Sequence, residues 1–258
     1  MMKSRSINAV FAGAVSISCL VGMGMVKAAN NDQPVLVLTE AAIDVDAAGH
    51  VSSVEIGDSK LPASLRERAA QVARQWRFQP VLRDGRAVGG RTYARMHVCL
   101  VPDGEDLRVA VDYLGNGPGI TRPRSPAPPL LPMSELIGRG IGGLEGKRRY
   151  RIGADGHATV ESATLDDPQL QKRYGDVWLR QQRKWVGETR YKPELVDGVA
   201  VSTVLEEDFD ITWQPRVRNY TDAMAQLAKQ SRACKQAAGF EASPPVAVDS
   251  PFKRMPES

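Results

Sequence analysis

The chain has few of the residues from which catalytic and metal centres are built. Its 258 residues include only three histidines and three cysteines. There is no CxxC pair and no Cys/His cluster, which argues against a zinc site and against a thioredoxin-type redox site. GxSxG, HExxH and P-loop fingerprints are all missing. The run Gly138-Arg139-Gly140-Ile141-Gly142-Gly143 has no lysine after it and reads as flexible chain rather than a phosphate cradle. His50 and His157 each sit beside a glycine and read as exposed turn residues. His97 falls on a strand face with no partner assigned. The acidic cluster Glu206-Glu207-Asp208…Asp210 lacks the spacing and glycine of a calcium loop. The reading is of a protein with no catalytic residue, no metal and no cofactor.

Charge of one sign is also scarce. The formal net charge is +4, but Lys3, Arg5 and Lys27 lie in an acid-free leading segment. Without them the 34 basic residues become 31 against 30 acidic ones, a net of +1. Nothing here favours nucleic acid as a partner. Hydrophobic residues make up 42% and charged residues 25%, which excludes a wholly disordered chain. With a single long apolar run, the chain is not a polytopic membrane protein.

That run spans Ile7 to Val26 and follows the basic segment Met1–Ser6. Val26-Lys27-Ala28 then supplies apolar and small residues at the −3 and −1 positions. This is the layout of a cleavable export signal over residues 1–29. An uncleaved inner-membrane anchor is the alternative, since 20 apolar residues can also span a bilayer. Lipid attachment at Cys19 fits poorly. Each reading puts the body of the chain outside the cytoplasm. Cleavage leaves Cys99 and Cys234, which an oxidising compartment allows to pair or to stay as thiols.

The body reads as a diverged repeat. Asp46-Ala47-Ala48-Gly49-His50-Val51 resembles Ala154-Asp155-Gly156-His157-Ala158. Trp76-Arg77-Phe78-Gln79-Pro80 resembles Trp185 followed, after four extra residues, by Arg190-Tyr191-Lys192-Pro193. From Pro80 onward the offset is constant at 113, taking Asp84-Gly85 to Asp197-Gly198. Each copy predicts two strands, a helix and a strand. Leu65, Ala69, Val72, Ala73 and Trp76 form one helical stripe. Leu170, Tyr174, Val177, Trp178, Gln181 and Trp185 form the other, with Gln181 its polar exception. Asp167-Pro168 predicts an N-cap followed by proline in the first turn. Ala94, Met96, Val98 and Leu100 alternate on one strand face. The offset carries them to Glu207, Phe209, Ile211 and Trp213, so Glu207 breaks the pattern and suggests a bulge. The opposite faces show Tyr93, Arg95 and His97 in one copy and Glu206, Asp208 and Asp210 in the other. Cys99 shares the outward face.

The fold class is therefore α+β, two tandem ββαβ modules with an antiparallel sheet on one helix each, plus a C-terminal helix. The boundaries are 34–101 and 131–214 for the modules and 102–130 for a Pro/Gly-rich linker. The helix is placed at 217–240 and a disordered tail at 241–258.

These residues resemble the TonB C-terminal domain family. The residues carrying the likeness are Gly49, Trp76, Phe78, Pro80 and Gly85 in the first copy. Gly156, Trp185, Tyr191, Pro193 and Gly198 carry it in the second. The resemblance implies a periplasmic module that binds an extended peptide of an outer-membrane transporter by strand addition. It makes the last strands, Thr92–Leu100 and Leu205–Trp213, the binding edges, with Tyr93, Arg95, His97, Glu206, Asp208 and Asp210 facing a partner. The first expectation is an exported, non-enzymatic peptide- or protein-binding protein. The alternatives are an anchored component of energy-dependent outer-membrane transport and a structural envelope protein whose edges cover each other. Against the anchored reading, Ser16 is followed four residues later by Leu20 rather than histidine. Opposed charges on the two outward faces also allow a homodimer.

Overall fold

Alternation of apolar and polar residues sets the first strand, β1 (Val35–Val45), and it turns at Gly49 into β2 (Val51–Ile56). The structure is a computed structural model that describes residues 35–57, 61–103, 106–122, 131–212 and 246–256. All of these belong to one compact unit, Asp32–Ser258. Its class is mixed α+β, with antiparallel strand pairs and few helices.

After β2 come helix α1 (Ala63–Ala73), the hairpin β3 (Val81–Arg83) and β4 (Arg86–Val88), and the long strand β5 (Gly90–Asp103). β1 pairs β2 on one side and β5 on the other. Leu65, Ala69, Ala73 and Trp76 of the helical stripe are buried against Ala41, Ile43, Ala94, Met96 and Val98 of the sheet. Among these, a fully buried side chain the size of Ile43, Met96 or Val98 contributes about 1.5–3 kcal/mol, so this face contributes strongly to holding the half together.

The second half has the same order. β8 (Gly143–Ile152) and β9 (Ala158–Leu165) form a hairpin, followed by helix α3 (Pro168–Gly187). Short strands β10 (Arg190–Lys192), β11 (Leu195–Val196) and β12 (Val199–Ala200) lead to β13 (Thr203–Thr212), which pairs β8 along its whole length. The Asp167 carboxylate accepts from the amides of Gln169 (2.7 Å) and Leu170 (2.9 Å), with Pro168 opening the helix. Asp167→Ala is expected to cost about 1 kcal/mol, read as a lower midpoint in denaturant with an unchanged slope. The buried polar residue of α3 is Gln182, fully enclosed, while Gln181 is half-buried. Gln182 faces inward because it answers a buried arginine on β8, described below.

Two expectations about the chain between and after these halves are corrected. The linker placed at 102–130 contains strands β6 (Asp106–Gly117) and β7 (Gly119–Arg122). β6 folds back on β5 from Tyr93↔Gly117 to Asp103↔Asp106. Its Val109, Val111 and Tyr113 pack on the first core, which offsets the cost of ordering a stretch whose far end is rich in glycine. A short helix, α2 (Met133–Gly138), then leads into β8. The tail placed at 241–258 is ordered over 246–256, with strand β14 (Val246–Ala247) on β13 and Phe252 1% exposed in the first core. The helix expected at 217–240, Trp213 and Cys234 lie outside the described residues. Cys99 is fully buried and disulfide-bonded.

Candidate functional site

The two halves hold their Trp-Arg-aromatic segments in the same way. Gly49 has φ +83°, and a Cβ there would stand 2.0 Å from the Phe78 carbonyl oxygen. The Phe78 amide donates to the Gly49 carbonyl at 2.8 Å. In the second half Gly156 has φ +77°, a Cβ would stand 2.3 Å from the Tyr191 oxygen, and the Tyr191 amide donates to Gly156 at 3.1 Å. Only glycine permits both the left-handed backbone and this approach. Asp84-Gly85 and Asp197-Gly198 both have positive φ at the two central positions, as a type I′ hairpin turn requires. Trp76, Phe78 and Tyr191 are buried, Trp185 and Pro193 are half-buried, and Pro80 is exposed.

Each of these segments receives an extra strand from the chain that follows the other half's sheet. β7 pairs β10, with Tyr191 opposite Ile120. The C-terminal segment pairs the first half's segment, with Phe78 opposite Arg254. There the Gln79 amide donates to the Lys253 carbonyl and the Met255 amide to the Arg77 carbonyl, both at 2.8 Å. The halves are thus joined by reciprocal arms.

Under the crossing lies a buried polar node that the sequence reading missed. Glu194 is fully buried. Its carboxylate accepts from the hydroxyls of Thr92 (2.6 Å), Thr203 (2.8 Å) and Ser250 (2.8 Å). The Asn116 amide donates to Ser250 Oγ at 3.0 Å and lies 3.2 Å from the Phe252 carbonyl, and Tyr113 hydrogen-bonds Asn116. Burial pushes the Glu194 carboxyl above the ordinary glutamate range, against the pull of its hydroxyl and amide donors. The node ties β5, β6, β13 and the C-terminal segment to one carboxylate. Gly90 belongs to the same junction. A Cβ there would stand 2.1 Å from the Leu195 oxygen and 2.6 Å from Phe252 Cζ, so β11 and Phe252 can close on β5 only at glycine.

The residues expected to face a partner divide. On the first half, β5 is paired on both sides and is not an edge, which corrects that expectation. Tyr93 and Arg95 are buried; Arg95 donates to the Pro118 carbonyl at 3.2 Å, and Gly119 of β7 lies against the Tyr93 ring. Opposite Arg95 is Glu40, whose carboxyl burial pushes up and the Arg95 charge pulls down. His97 is half-buried, and burial lowers its pKa while Asp112, across from it on β6, raises it. The cause of the miss is β6 and β7, which cover this edge and this face.

On the second half, Glu206 pairs with Arg149 at 3.2 Å and Asp208 lies 3.8 Å from Lys147, both within the sheet. Asp210 is exposed and faces Glu145 in register. The structure therefore does not bring Arg95 and His97 onto these acids. Glu207 makes no bulge, since the register of β13 on β8 is unbroken. Its partly buried carboxylate instead pairs at 2.9 Å with Arg148, which is buried. Arg148 also donates to Gln182 at 2.7 Å and lies over the rings of Trp185 (4.8 Å) and Phe209 (5.3 Å). In the first half the matching cross-strand pair is Ala41↔Ala94.

Among the described residues, β13 is paired along its whole length on the β8 side and only in part on the other. The Val248 amide donates to the Val204 carbonyl at 3.0 Å, and the Val204 amide donates to Asp249, so the backbone of Val204 points away from β8. By strand alternation Glu206, Asp208 and Asp210 point the same way. β14 covers this side only at Leu205 and Glu206. Among the described residues no strand pairs with Asp208 and Asp210 on that side.

A helix-backed antiparallel sheet with a turn glycine locked on a Trp-Arg-aromatic segment and an Asp-Gly hairpin before the last long strand defines the class of module. Residues 39–96 match the family model described as Gram-negative bacterial TonB protein C-terminal, and the chain carries a domain of that family there. No curated protein and no solved structure matches the chain. No helix among the described residues is long and apolar enough to cross a membrane, and no group of three or more metal-ligating side chains occurs among them.

Proposed function

We propose that the chain is an exported, non-enzymatic protein of the Gram-negative cell envelope, with two diverged TonB C-terminal-like modules, that binds an extended protein segment by adding it to β13. The carrying observation is the edge of β13 beyond Glu206, where the amides and carbonyls of Asp208 and Asp210 point outward next to a strand already added in cis. An edge of this kind, with no strand paired to it among the described residues, can template a further strand. The family match supports an envelope partner, with an outer-membrane protein the first class to test. The acidic side chains on this edge favour a partner strand carrying lysine or arginine.

A photo-crosslinking amino acid at Asp210, on β13, is expected to capture a defined envelope partner. The same group at Ser162, on the face of β9 away from the core, is expected to capture none. Equal adducts at both positions, or none at Asp210, would contradict strand addition at β13.

A second reading, a structural protein with self-covered edges, is favoured by the full pairing of β6 along β5. At β13 the two readings make opposite predictions.

A further inference from the structure

The segment Ser250–Met255 lies in a groove made by both halves, and its side chains are read one by one. Ser250 is bound by the Glu194 carboxylate and the Asn116 amide. Two residues on, Phe252 fills a pocket of the first core beside Gly90. Two further on, the Arg254 guanidinium lies over Tyr113 (4.8 Å) and Trp76 (5.1 Å), rings that meet edge to face at 5.2 Å. Between these anchors the backbone of Lys253 and Met255 pairs Gln79 and Arg77. An aromatic anchor in a pocket, a hydroxyl on a buried acceptor and a guanidinium on aromatic faces are the contacts of a recognition site rather than of a featureless tail.

The strap's own hold is short. It includes the two-residue β14, the bonds of Val248 and Asp249 to Val204, one bridge at Phe78 and these three anchors. Val246, Val248 and Met255 stay exposed. Beside it, between the two Asp-Gly hairpins, opens a groove of about 380 Å³ floored by Val81 and Val196 and rimmed by Asp249 and Pro251 of the strap. An incoming segment has a foothold there.

We propose that the groove holding Ser250–Met255 is a second recognition site, occupied in the free protein by the chain's own C-terminal strap. Its external ligand is an extended peptide with a hydroxyl residue, an aromatic residue two positions later and an arginine two positions after that. Displacing the strap also uncovers Val204, Leu205 and Glu206 on the outer side of β13. The site is built from residues other than Asp208 and Asp210, so it stands whether or not a partner adds to β13.

The test uses a fluorescent peptide of residues 247–256 and the full chain. With Phe252→Ala the resident anchor is gone, and the peptide is expected to bind saturably. Binding to the unaltered chain is expected to be about tenfold weaker or more, because the tethered strap competes at high effective concentration. A peptide lacking its phenylalanine should not bind. A folded Phe252→Ala chain that ignores the peptide, or equal binding to both chains, would overturn the proposal. Should that variant fail to fold, amide exchange in the unaltered chain decides. The amides of Val248 and Met255 are expected to open well before those of β1 and β5, and faster still with excess peptide. Opening only together with β1 and β5 would overturn it. Peptide-induced dimers would mark exchange of straps between copies and would likewise overturn the monomeric, self-occupied groove.

Discussion

Arg148→Ala is expected to destabilise the protein by about 3 kcal/mol, because it removes a buried guanidinium from the second core and takes the ion-pair partner from the partly buried Glu207 carboxylate. Glu207→Ala should cost a similar amount by removing the counter-charge of the buried guanidinium. The informative variant is the double one. Arg148→Ala with Glu207→Ala recreates the Ala41↔Ala94 pair of the first half, so no charge is left behind. It should therefore cost about 1–3 kcal/mol less than the two single effects added. Part of the loss will persist, since Trp185 and Phe209 lose the cation they cover. Equilibrium unfolding of the four proteins measures this. Strict additivity would mean the pair is not coupled.

The second large effect is expected at Glu194. Glu194→Ala removes the common acceptor of Thr92, Thr203 and Ser250 and should cost on the order of 3 kcal/mol. It should also loosen the C-terminal strap, since Ser250 loses its acceptor. The pH dependence has a definite sign. The folded-state pKa is raised, so the protonated carboxyl is favoured by folding. That contribution is complete below the ordinary value of 4.5 and is lost as pH rises through the raised folded value. Glu194→Gln keeps the shape and cannot ionise. Relative to it, the parent protein should lose stability with rising pH across this window. Parallel stability profiles for the parent and Glu194→Gln would show that the carboxyl does not titrate there.

Much of the first half was legible because its periods are clean. A strand period of two and a helical stripe ending at Trp76 fix which faces meet, and the turn glycines follow from their left-handed backbone. The edges were not legible. Whether β5 is open depends on where the next forty residues go. A stretch such as Gly115-Asn116-Gly117-Pro118-Gly119 looks like linker by composition, although Tyr113 and Asn116 just before and within it pack on the first half and join the Glu194 node. The strap was missed for the same reason, since Ser250-Pro251-Phe252 holds its place by contacts distant in sequence. The Glu194 node did leave a trace. The 113-residue offset sets Glu194 against Val81, a buried core residue, and a carboxylate at a core position asks for donors. Glu207 against Ala94 left the same trace, and its answer, Arg148, lies directly across the sheet.

The most direct measurement is residue-resolved amide exchange along β13 in the isolated full chain. Val204 is covered by the strap, and Glu207, Phe209 and Ile211 point toward β8. Asp208 and Asp210 point to the outer edge. Fast exchange at Asp208 and Asp210 between slow neighbours is the expected result, with both becoming protected when a partner binds. Uniform slow exchange along the strand, in the absence of any partner, would show that this edge is already covered and would contradict strand addition at β13.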